Sequence, residues 1–142
     1  MHSDGLYDAT SPDYGQSDFS RIIHIVGEYF KGLHHGEPDT LAPLFHADTV
    51  LKAPNIRRTL TTWLDDVSKR AKPIEQGAGF NFRLLSLEIT GDQAMAKVAC
   101  PLFQYNYVDY LGLLKEGGHW RIVNKMYADL SPPNARNTST KG

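Results

Sequence analysis

The sequence predicts an α+β domain, with helices of the N-terminal half packed on one face of a curved antiparallel sheet. Two observations carry that prediction. Apolar residues recur at three- and four-residue spacing in the first half of the chain and alternate singly with polar residues in the second. The alternating runs are separated by short turns, one of them Gly117-Gly118, as in a meander of antiparallel strands. A length of 142 residues is enough for one core and argues for one domain.

The elements follow in order. Ser17 caps a first helix from Asp18, with Phe19, Ile22, Ile23, Val26, Phe30 and Leu33 as its apolar stripe and Ile25 and Tyr29 on the flank. Gly36 ends that helix. Pro38 starts a short second helix with Leu41, Leu44 and Phe45 on its apolar side. His46-Ala47-Asp48 reads as a turn and Thr49–Lys52 as a short strand. Leu60, Trp63, Leu64, Val67 and Ala71 give a third helix, capped by Thr61 or Thr62 and stopped by Pro73. Phe80, Phe82 and Leu84 alternate, then the phase slips to Leu85, Leu87 and Ile89, which predicts a bulge or a doubly covered strand. Strands from about Gln93 to Tyr105, Tyr107 to Lys115 and His119 to Ala128 complete the sheet. Residues 1–17 and 131–142 read as flexible tails around a single domain over 18–130.

Composition narrows the function. Fifteen basic residues against sixteen acidic ones give a net charge of −1, without the basic surplus of a nucleic-acid binder. No apolar run reaches the roughly 18–20 residues of a membrane span. No signal peptide is visible at the N-terminus, so the expectation is a cytoplasmic protein. The single cysteine, Cys100, excludes a disulfide within the chain and reads as an inert buried thiol. His34 and His35 are adjacent on a helix and point apart, which makes them a poor metal pair, so neither a metal nor a cofactor is expected.

Several stretches carry a resemblance: Tyr29-Phe30-Lys31-Gly32-Leu33-His34-His35-Gly36, Leu44-Phe45-His46-Ala47-Asp48, and the hairpin Asp109–Lys115 with Gly118–Lys125. Over about residues 18 to 129 the chain resembles the nuclear transport factor 2-like superfamily, and within it the bacterial family labelled "putative lumazine-binding". The resemblance implies a cone of bent sheet closed by three N-terminal helices on its concave face. Ketosteroid isomerase shares that fold. Laying its Tyr-to-Pro segment on Tyr29–Pro54 puts Tyr29 at the oxyanion tyrosine and Ala53 at the general base. Alanine accepts no proton, so the resemblance argues against isomerase chemistry by that mechanism. The isomerase's oxyanion-hole aspartate falls near Tyr107.

Counted from a two-residue Gly117-Gly118 turn, Lys115 pairs with Trp120, Leu113 with Ile122, Leu111 with Asn124 and Asp109 with Met126. That register turns Tyr107, Asp109, Asn124 and Met126 into the cone. A one-residue change of turn length would undo the grouping. With Tyr29, Phe30, His46 and Trp63, these residues form the expected ligand-binding set. Tyr29 and Asp109 are the candidates for proton transfer if the protein is an enzyme of isomerase, dehydratase or cyclase type. Each also has an ordinary reading: Tyr29, Phe30 and Trp63 as core, His46 as a loop-fixing hydrogen bond, and Asp109 as a strand-end carboxylate bonded to a neighbour. The opposite face, with Tyr110, Arg121, Val123, Lys125 and Tyr127, is the expected interface of a homodimer. Three functions remain open: a small-molecule binder with an apolar pocket in the cone for an aromatic or pteridine-like ligand, a small proton-transfer enzyme, and a dimeric interaction module. No Ser–His–Asp order, phosphate loop or metal cluster completes a catalytic set.

Overall fold

A computed structural model describes residues 17–132. The tails expected over 1–17 and 131–142 therefore fall almost entirely outside the described residues. The first helix, α1 (Asp18–His35), starts where the Ser17 hydroxyl accepts from the Ser20 amide at 3.0 Å and ends at Gly36, whose φ of 63° is left-handed. Its buried face is centred on Ile22, Ile25, Val26, Tyr29 and Leu33. The stripe is thus rotated from the expected one: Ile25 and Tyr29 move to its middle and Phe19 is exposed. The short α2 (Pro38–Leu41) continues as a 3-10 turn over Ala42–Leu44. Gly32 lets it lie against α1, since a Cβ there would stand 2.6 Å from the buried Leu41 side chain.

Strand β1 (Phe45–Ala53) begins four residues earlier than expected, so His46 lies in a strand and not in a turn. A turn at Asn55 leads to a strand that the periodicity did not reveal, β2 (Ile56–Thr59). Four residues with two arginines carry too little alternation to read. Helix α3 (Leu60–Lys69) is capped two to three residues earlier than expected, by Thr59, whose hydroxyl accepts from the Thr62 amide. A 3-10 turn (Pro73–Gln76) leads to β3 (Arg83–Thr90), β4 (Gln93–Leu102), β5 (Tyr105–Glu116) and β6 (His119–Asp129).

The six strands form one sheet in the order β2-β1-β6-β5-β4-β3, with the helices on its concave face. The sheet is curved and unclosed, and it is antiparallel except where β1 runs parallel to β6. The phase slip at Leu84–Leu85 is a bulge in β3, between Leu84 and Ser86.

A second bulge decides the site. In the β5–β6 hairpin Gly117 and Gly118, at φ 59° and 81°, make the expected two-residue turn. Lys115 pairs with Trp120 and Leu113 with Ile122, as expected. Between Gly112 and Leu113 the register then shifts by one. Leu111 faces Lys125, Asp109 faces Tyr127 and Tyr110 faces Met126. A side-chain period of two turns that single slip into an exchange of faces along the rest of β6. Lys125 and Tyr127 enter the cone, while Asn124 and Met126 leave it.

Two interactions set the ends of the cone. At the hairpin end Asp18 accepts from Lys115 Nζ and Trp120 Nε1, both at 3.0 Å. Those bonds, Trp120's first, hold the Asp18 carboxyl below its usual range. At the other end Lys72 Nζ donates to the Gly36 carbonyl at 2.8 Å, holding the segment that leads into the 3-10 turn beside the C-terminus of α1. The β4–β5 turn lies at this second, open end.

Candidate functional site

Inside the cone lies a polar cluster that no single element could build. Tyr29, from the middle of α1, donates its hydroxyl to Asp109 Oδ2 of β5 at 2.7 Å. Lys125 of β6 brings Nζ to 4.0 Å from the same oxygen. Asp109 is 1% exposed and Lys125 is fully buried. An ammonium in such a place needs compensation. Asp109 supplies part of it, and aromatic faces supply more: Nζ lies 4.2 Å from the Trp63 ring centroid, 5.4 Å from that of Tyr29 and 5.8 Å from that of Tyr127. Outside this cage Arg58 of β2 reaches the Tyr127 hydroxyl at 3.4 Å and pairs with Asp66 of α3 at 2.9 Å.

The electrostatics follow from burial. Burial lowers the Lys125 ammonium to about 8, with Asp109 opposing the shift and Arg70 and Arg58 adding to it. Burial also pushes the Tyr29 hydroxyl well up, reinforced by the Asp109 charge, so Tyr29 is a donor at neutral pH. The Cys100 thiol is raised by burial and then by Asp109. A thiol held protonated is no nucleophile. Asp109 Oδ1 and Lys125 Nζ have no hydrogen-bond partner among the described residues. One acceptor and one donor therefore stand unused in the interior.

The expected residues distribute as follows. Tyr29, Trp63, Tyr107 and Asp109 lie in the cone. Phe30 is buried too, but it stacks on Phe82 at 5.3 Å, on the β3 side. Asn124 and Met126 are on the outer face, corrected by the bulge: Asn124 Oδ1 accepts from Lys52 Nζ at 2.8 Å, and Met126 is 41% exposed. His46 is outside as well, with Nδ1 2.7 Å from Asp48 Oδ1, beside a shallow hollow lined by Val50, Lys52 and Val123. Lys125 and Tyr127, expected on the outer face, are the residues that sequence reasoning missed. Alternation from Trp120 and Ile122 points Lys125 and Tyr127 outward, so no signal within β6 marks them; the register shift opposite Gly112 turns them inward.

Tyr29, Trp63, Tyr107, Asp109, Lys125 and Tyr127 are each at most 4% exposed. A cavity of about 510 Å³ lies at the cone's open end, lined by Pro73, Gln76, Ala78, Phe103, Gln104 and Tyr105. Tyr105 and Tyr107, with ring centroids 5.3 Å apart, lead from it toward the polar cluster, and Arg70 lies over the Phe103 ring at 5.4 Å. Among the described residues no group of three or more His, Cys, Asp and Glu side chains forms a metal site, and no helix is long and apolar enough to cross a membrane.

Several solved structures share the fold. A nuclear transport factor 2-like protein of unknown function from Shewanella baltica is 16% identical, with 81% of this chain and 95% of that chain covered at a TM-score of 0.67. One from Methylobacillus flagellatus is 21% identical, with 85% and 98% covered at 0.65. One from Silicibacter pomeroyi is 19% identical, with 78% and 94% covered at 0.63. At such identities the likeness shows the nuclear transport factor 2-like fold and no more. A search of curated proteins finds no match. The family profile described as "Putative lumazine-binding" matches residues 17–128, from the cap of α1 almost to the end of β6, and the chain belongs to that family.

Proposed function

We propose that the protein binds a small planar aromatic ligand, of the pteridine-like class, at the open end of the cone. The cavity there carries the reading. Its volume of about 510 Å³ falls within the range of small-molecule sites, and it combines two aromatic walls, Phe103 and Tyr105, with two carboxamides, Gln76 and Gln104. The family description supports the ligand class without naming the ligand of this chain.

A second reading, proton transfer by Tyr29 and Asp109 on a substrate inside the cone, is favoured by the unused Asp109 Oδ1 and Lys125 Nζ. An acceptor beside a donor matches the N–H and C=O edge of a cyclic amide. One titration separates the two. Lumazine and riboflavin are added to the wild type and to Asp109→Asn, with the quenching of probe fluorescence as readout. Binding that changes less than about threefold in a folded Asp109→Asn places the ligand at the open end; a loss of about tenfold or more would place it in the interior. No quenching in the wild type would sink both readings.

We further propose a homodimer through the outer face of the sheet. Tyr110 and Met126 are 43% and 41% exposed there, beside an apolar groove of about 350 Å³ that also includes Val108, Ala128 and Leu130. Arg121 and Val123 extend this face toward the hairpin end. Met126→Glu is expected to halve the mass measured by sedimentation; a monomeric wild type would refute the dimer.

A further inference from the structure

The β4–β5 turn has two central residues, Phe103 and Gln104, closed by the pairing of Leu102 with Tyr105. Phe103 has a φ of 59°, and Gln104 is outside the left-handed region. A positive φ at the first central residue alone marks a hairpin position that glycine ordinarily fills, because a Cβ there crowds the backbone. Among the described non-glycine residues only Asn55 shares a positive φ, and asparagine tolerates it. A bulky phenylalanine does not, and strain of this kind collects at ligand clamps and switch regions.

The fold itself draws limited packing from the ring. It is 38% exposed, with the Arg70 guanidinium over it. What it does contribute is a wall of the 510 Å³ cavity, which Tyr105, Gln76 and Gln104 also line.

We propose that Phe103 is a ligand-stacking residue, held in a strained turn so that its ring faces a planar heteroaromatic ligand whose amide-type edges meet Gln76 and Gln104. The inference rests on the open-end binding reading and names the residues that would give that site its specificity. Ring stacking supplies affinity without selecting one heterocycle; the carboxamides, each with donors and an acceptor, select those with N–H and C=O edges. The guanidinium at the Phe103 ring gives the site a positive field that favours electron-rich or anionic rings.

The test uses Phe103→Gly and Phe103→Tyr, titrated with lumazine and with riboflavin, and melted without either probe. Glycine relieves the turn and removes the ring, so Phe103→Gly is expected to melt within about 3 °C of the wild type while binding about tenfold or more weakly. Phe103→Tyr keeps the ring and is expected to bind within about threefold of the wild type. Unchanged binding by Phe103→Gly overturns this inference and leaves the binding reading standing. A fall of more than about 5 °C in its melting temperature makes the ring a packing element and also overturns it. Absence of binding by the wild type overturns this inference together with the reading it rests on.

Discussion

Asp109→Ala is expected to lower stability by about 3–5 kcal/mol, because it leaves the Lys125 ammonium buried among aromatic rings with no carboxylate beside it. Lys125→Ala should cost a similar amount by the converse route, stranding a carboxylate left with neutral donors alone, the Tyr29 hydroxyl and the Cys100 thiol. The pair is not thereby a net source of stability. Two charges have been withdrawn from water, and their attraction at 4.0 Å returns only part of that cost. The double variant Asp109→Leu with Lys125→Met should therefore recover to within about 2 kcal/mol of the wild type, or exceed it. Urea midpoints measure all three. Single variants that each cost under about 1 kcal/mol would show that the charges find other partners, and the cluster as described would be wrong.

The same lysine sets a pH dependence whose sign can be worked out. Its ammonium titrates near 8 in the native state against an ordinary 10.5, so between those values the unfolded chain holds a proton that the native protein has released. Stability then rises with pH, at up to about 1.4 kcal/mol per unit. Cys100 and Tyr29 act in the opposite sense. Their native values are raised, so the unfolded chain ionises first, above about 9 for the thiol and 10 for the phenol. The net expectation is a gain of about 1 kcal/mol from pH 8 to 9, then a plateau or decline. Lys125→Met should abolish the rise and keep the decline.

Trp63→Ala is the other large expected effect, a loss of about 3–5 kcal/mol, since a fully buried indole leaves a cavity that the sheet and α1 cannot close. Trp63 does more than fill volume. Its ring is the nearest face to Lys125 Nζ at 4.2 Å, and it meets Phe45 at 5.5 Å, so one side chain ties α3 to β1 and to the buried charge. Trp63→Phe retains a π face and should lose about half as much as alanine. Denaturant titrations at pH 7 decide this. Equal losses for phenylalanine and alanine would reduce the ring to volume alone, and a loss under about 1 kcal/mol for alanine would contradict its place in the core.

What could be read from the chain without its structure was whatever neighbours in sequence decide. Helices α1 and α3, the β5–β6 turn and the bulge in β3 follow from periodicity, caps and glycines, all of which act over a few residues. A tyrosine on an apolar helix and an aspartate in an apolar strand make Tyr29 and Asp109 conspicuous locally; their 2.7 Å bond spans 80 residues and leaves no local mark. The short β2 and the parallel β1–β6 pairing lay beyond local pattern too. The decisive step was tertiary. A register shift of one residue beside Gly112 separates the two halves of the β5–β6 hairpin, and no alternation within β6 alone announces it. That shift moved Asn124 and Met126 outward and placed Lys125 beside Asp109. Local pattern specifies the fold and the residues capable of forming a site. The register of β5 against β6 settles which of them meet, because side chains on a strand change face with every residue and a single slip reassigns all that follow.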